Sequence, residues 1–72
     1  MKEALTKRER EILALIVADR PTKAIAHDLS ISIKTVEGHR ESINRKLGTC
    51  SPISTVLAAL HHGLVFVKGV NA

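Results

Sequence analysis

The feature that most limits this chain is its punctuation. Pro21, the Ser30-Ile31-Ser32 break, Gly48 followed by Ser51-Pro52, and Gly63 cut its 72 residues into short pieces. Between the breaks apolar residues recur every three to four positions, the helical period, and no stretch alternates as a strand would. The expected fold is therefore all-α: four short helices at about 7–18, 22–29, 33–47 and 52–62, joined by tight turns. No linker, repeat or low-complexity segment divides the chain. Residues 1–72 read as one domain with a core at 5–64 and a short apolar tail at 65–72, whose structure the pattern does not assign. A chain this short buries only about 60% of the surface that its unfolded form exposes, so its stability margin is thin.

Each helix carries its own start and stop. Thr6 caps the first, and Glu9 three residues later completes the capping-box spacing. Ile12, Leu13, Leu15 and Ile16 mark its buried face, and Leu5 packs beside them. Asp19-Arg20-Pro21 ends it, because proline disfavours helical geometry at the residue before it. The second helix turns Ile25, Ala26 and Leu29 inward. Ser32 caps the third, and Gly48 closes it in the left-handed position that glycine tolerates. Ser51 caps the fourth, with Pro52 at its first helical position. There Val56, Ala59, Leu60 and Ile53 are expected to face the core, while Leu57 and His61, spaced i,i+4, fall on an outer edge.

The third helix carries the functional signal. With 100° per residue, Ile43 and Leu47 fall within about 20° of Val36, one on either side, and the three form the buried stripe. The opposite face gathers Lys34, Glu37, Gly38, Glu41, Ser42 and Arg45, with no apolar side chain. Glycine inside a helix costs ~1 kcal/mol relative to alanine. Gly38 is thus either a place where a partner approaches the backbone closely or a tolerated surface residue. A short helix, a three-residue turn and a longer polar-faced helix make a helix-turn-helix, whose second helix enters the major groove of duplex DNA. Its N-terminus, at Ser32, Lys34 and Thr35, offers free backbone N–H groups to phosphate.

Composition narrows the partner. Eleven basic residues against seven acidic ones leave a net charge of +4, which permits a nucleic acid. The mid-chain stretch concentrates that charge, with Lys34, Arg40, Arg45 and Lys46 against Glu37 and Glu41. The single aromatic, Phe66, nearly excludes the stacking surface used for single strands. One cysteine, Cys50, makes no internal disulfide and fits a reducing, cytoplasmic compartment, as a small half-buried filler in a loop. No apolar run approaches the ~20 residues of a membrane span. Paired carboxylates, phosphate-cradling glycines and metal-ligand spacings do not occur in the pattern, so neither catalysis, a cofactor nor a metal is expected. The adjacent His61 and His62 lack the i,i+4 spacing of a helical metal site.

The ordered motifs Leu5-Thr6-Lys7-Arg8-Glu9-Arg10-Glu11-Ile12-Leu13, Lys23-Ala24-Ile25-Ala26, Leu29-Ser30-Ile31-Ser32, Thr35-Val36-Glu37-Gly38-His39 and Lys46-Leu47-Gly48 are not generic. With Val56, Ala59, Gly63 and Leu64 they resemble the LuxR-type helix-turn-helix family of bacterial transcription regulators, over about residues 5–64. Residues 35–43 are most similar to its response-regulator branch. The resemblance implies a four-helix domain that binds double-stranded DNA, usually as a homodimer, with RNA polymerase as a further candidate partner. It implies that Glu37, Gly38 and Glu41 face bases, and that Thr35, His39 and Lys46 lie near the phosphate backbone; the charges of Lys34 and Arg45 suit the same role. It also implies a dimer contact on the fourth helix, where Leu57 and His61 stand. Many family members carry an N-terminal receiver or ligand-sensing domain, so the chain reads as an excised effector domain or a short standalone regulator.

Three departures from the family pattern bear on binding. Pro21 and Ala24 replace the capping box of the second helix, leaving Thr22 as the expected cap. Pro52 stands where a basic residue is common. Glu37 and Glu41 stand where lysine is common, and a carboxylate suits the N4 amino group of cytosine better than it suits phosphate. Two other readings remain at this point. A sigma-factor promoter-recognition domain resembles the first three helices, and association with core RNA polymerase would reveal it. A protein-interaction module would fit the carboxylates of the third helix, and duplex binding at two salt concentrations would separate it.

Overall fold

The computed structural model describes residues 4–63. They form four helices, α1 (Lys7–Val17), α2 (Thr22–Leu29), α3 (Ile33–Leu47) and α4 (Pro52–His61). The expectations on Leu64 and the tail 65–72 lie outside the described residues. α3 packs against each of the other three helices, whereas α2 and α4 do not touch. The core is aliphatic: Leu5, Ile12, Leu13 and Ile16 meet Ile25 and Ala26 of α2, Val36 and Ile43 of α3, and Ala59 of α4. The stripe at Val36 and Ile43 is what orients α3, because burying it sends the polar face outward.

The capping box of α1 is present, with Thr6 Oγ1 accepting from the Glu9 N–H at 3.1 Å and Glu9 Oε1 accepting from the Thr6 N–H at 2.8 Å. Three of the helices end in one way. In each, the residue past the end takes a left-handed conformation, and two successive N–H groups turn back onto the last-turn carbonyls. Asp19 and Arg20 donate to Ile16 and Leu15, Ser30 and Ile31 to His27 and Ala26, and Gly48 and Thr49 to Arg45 and Asn44. Only Gly48 is a glycine; Asp19 (φ 63°) and Ser30 (φ 57°) hold the same geometry with a side chain. Arg20 then crosses to α2, its Nη2 2.6 Å from Asp28 Oδ2.

Several details differ from the expectations. α1 stops at Val17 because Asp19 reverses the chain before Pro21 acts. α4 ends at His61, with His62 as its cap. Pro21, not Thr22, occupies the N-cap of α2 and supplies no side-chain hydrogen bond, and Thr22 is already helical. α4 has a full capping box in which Ser54 replaces the usual glutamate. Ile53 does not face the core: it is 75% exposed, because α4 presents Thr55 and Ala59 to the other helices. Cys50 is exposed and not half-buried. The Thr55 hydroxyl is buried 2.6 Å from Asn44 Oδ1 and 3.0 Å from the Thr49 hydroxyl, which ties α4 to the end of α3.

Candidate nucleic-acid interface

The polar face of α3 stands clear of the rest of the chain. Lys34, Thr35, Glu37, Gly38, Glu41 and Arg45 are exposed, and His39 is half-buried, as its angle of about 60° from the buried stripe suggests. At the N-terminus, Ser32 Oγ accepts from the Thr35 N–H at 3.0 Å and lies 2.8 Å from the Thr35 hydroxyl. That cap leaves the first N–H groups of the helix directed outward. A Cβ built on Gly38 would meet nothing within 4 Å, so this chain's own packing does not demand glycine there. Glu37 and Glu41 have no ion-pair partner among the described residues, although Lys34 and Arg45 lie within one turn of them.

Lys46, expected near the phosphate backbone, is engaged within the chain. Its ammonium lies 2.7 Å from Glu9 Oε1, with the two side chains only 9% and 5% exposed. Ser42 Oγ donates to the other Glu9 oxygen at 2.6 Å. Burial by itself would raise the Glu9 pKa. The hydrogen bonds from Lys46, Ser42 and the Thr6 backbone, with the Lys46 charge, outweigh it and lower the carboxyl from 4.5 to about 2. A cation held this way ties α3 to α1. The wheel points Lys46 toward one flank of α3 but does not say that the flank meets Glu9.

On the other flank a shallow groove runs between the start of α2 and α3, lined by Thr22, Glu37, Arg40, Glu41 and Asn44. Thr22 and Arg40 thus border the polar face of α3, a position that the sequence pattern did not assign to them. Arg40 lies only about 40° from Val36 on the wheel, so periodicity alone counts it with the packing side. On α4, Leu57 is 60% exposed and forms an i,i+4 stripe with Ile53 and His61. His61 and His62 meet edge to face at 5.2 Å.

A helix-turn-helix with this presentation is shared with known proteins. Residues 3–60 match the model of GerE, the luxR family of bacterial regulatory proteins. The chain belongs to the luxR family. Among family members it is 45% identical over 62 residues to the spore germination protein GerE of Bacillus subtilis, covering 86% of this chain and 84% of GerE. It is 46% identical to the transcriptional regulatory protein MctR of Rhizobium johnstonii over 93% of this chain, but spans 31% of MctR. It is 43% identical to FixJ of Rhizobium meliloti over 85% of this chain and spans 30% of FixJ. The solved structure of the transcription factor GerE superposes with a TM-score of 0.80 at 40% identity, over 89% of this chain and 97% of GerE. A ligand–DNA complex of Vibrio cholerae VqmA superposes at 0.81 with 38% identity, over 85% of this chain and 27% of VqmA. The luxR-family chain thus shares the four-helix unit with proteins of very different total length.

Proposed function

We propose that this luxR-family chain is the DNA-binding unit of a bacterial transcription regulator, acting in the cytoplasm, with α3 in the major groove. The observation that carries the reading is the outward face of α3: polar along its length, bare at Gly38 and packed behind by Val36 and Ile43. The DNA complex of VqmA, a structural neighbour at 38% identity, supports it. Glu37, Gly38 and Glu41 face bases. Lys34, Thr35, His39 and Arg45 position the phosphates, with Arg40 and Thr22 on the flank of the groove. Lys46 contributes through α3's position and not by contact. The exposed stripe Ile53, Leu57 and His61 pairs two copies on adjacent half-sites; that VqmA, a structural neighbour, is a dimer supports pairing as such.

Selection of duplex DNA from a random pool at low salt tests this. Enrichment of half-sites about one helical turn apart is the expected result. Affinity for the enriched site should fall ~10³-fold between 50 and 200 mM salt if about six phosphates are neutralised. A folded protein that enriches no sequence and shows no salt dependence would overturn the reading.

A further inference from the structure

The two carboxylates on the reading face are unusual company for DNA. Glu37 and Glu41 sit one turn apart, about 6 Å along the helix, which spans about two base-pair steps of 3.4 Å. Both are exposed, and neither forms an ion pair among the described residues. Beside them Gly38 carries no side chain, and a Cβ there would meet nothing within 4 Å, so the helix surface is open at that point.

A carboxylate brought into the major groove loses water and faces phosphate repulsion. A hydrogen-bond donor on a base edge compensates it directly. Guanine offers two acceptors and thymine one acceptor with a methyl group. Adenine offers an amino donor beside the N7 acceptor, and cytosine offers the N4 amino donor alone. Cytosine is therefore the base that suits both positions.

Building on the reading of α3 as the DNA-reading helix, we propose that Glu37 and Glu41 make binding conditional on unmodified cytosine N4 amino groups in the half-site. DNA binding by this chain is then switched off by N4-methylation of those cytosines. In a Watson–Crick pair one N4 hydrogen is held by guanine and the other points into the major groove. A methyl group on N4 replaces the second, so the donor is lost and a carbon occupies the carboxylate's place. A methyl group on C5 leaves the N4 donor intact and is the matched control. The same carboxylates repel unrelated sequences, so they lower non-specific affinity while they raise specificity.

The test uses the duplex enriched by the wild-type protein, prepared in three forms: unmodified, N4-methylated and C5-methylated at the half-site cytosines. N4-methylation is expected to weaken binding about tenfold or more, the effect of a mismatched pair. C5-methylation should change it only a few-fold. The Glu37→Ala, Glu41→Ala double variant should bind the unmodified and N4-methylated duplexes equally and gain affinity for unrelated DNA. Its fold is checked by circular dichroism, and the modified-duplex comparison with wild-type protein stands without it. Equal wild-type affinity for the unmodified and N4-methylated forms, or an enriched half-site without cytosine, overturns the proposal and leaves DNA binding intact. Failure to bind any duplex removes both.

Discussion

At the scale of single residues, Glu9 and Gly38 do the most with the least. Glu9 closes the capping box of α1 and also receives Lys46 and Ser42 from α3, so one carboxylate joins an element to its neighbour. Its pKa is held at about 2, below the ordinary 4.5. A depressed carboxylate stabilises the fold fully above the unfolded value, and that contribution is lost as pH falls from about 4.5 toward 2. Thermal melts across this range should show a steep acid limb that Glu9→Gln flattens. At neutral pH the same variant should lose roughly 3 kcal/mol, because it strands the Lys46 ammonium. Gly38 sits in open space within a helix, so Gly38→Ala should stabilise the fold by ~1 kcal/mol. The same methyl group would stand between α3 and the bases. Melting and duplex binding measured on one sample should therefore move in opposite directions; unchanged DNA affinity would make Gly38 a tolerated surface residue.

At the scale of elements, the helix ends set the angles of the bundle. All four helices are followed by a left-handed residue, and two of these, Asp19 and Ser30, carry a side chain at a geometry that costs L-residues about 1–2 kcal/mol. Ser30 stands in the turn between α2 and α3. Ser30→Gly should raise stability by about 1 kcal/mol in denaturant titration while leaving the helical content unchanged. The caps of α1, α3 and α4 were legible as local patterns, because a serine or threonine acts within three residues. The closure at Asp19 was not legible, because aspartate is only an occasional left-handed residue and Pro21 offered a simpler stop. The start of α2 was legible only in part: Pro21 stands where the usual capping residue is replaced, but Thr22 does not cap in its stead, because proline fixes an extended entry without any side-chain bond.

At the scale of the whole molecule, α4 carries an apolar stripe that no described residue covers. Ile53 and Leu57 are exposed to water at 75% and 60%, too much for residues serving only this core. Leu57→Glu should leave the circular dichroism of the isolated chain unchanged, because the position packs little within it. In a gel-shift assay on a paired half-site it should remove the two-protein complex and leave the one-protein complex. Retention of the two-protein complex would move the dimer contact off this stripe.

The amino-acid sequence by itself determined the number and order of the described helices, the buried face of α3 and hence the polar face opposite. Those features follow from periodicity and caps, which act over a few residues, and the family motifs rest on the same ordered positions. Glu37, Gly38 and Glu41 could be picked out because they lie far from the buried stripe on one helix. Tertiary structure alone decided the flanks. Lys46 meets Glu9 across 37 positions, Arg40 and Thr22 come together at a groove, and Ile53 turns outward when α4 seats Thr55 and Ala59. The physical reason is one of range. A helix's own geometry states which residues share a face, but only packing states what that face meets, and there a charge is either neutralised or left free.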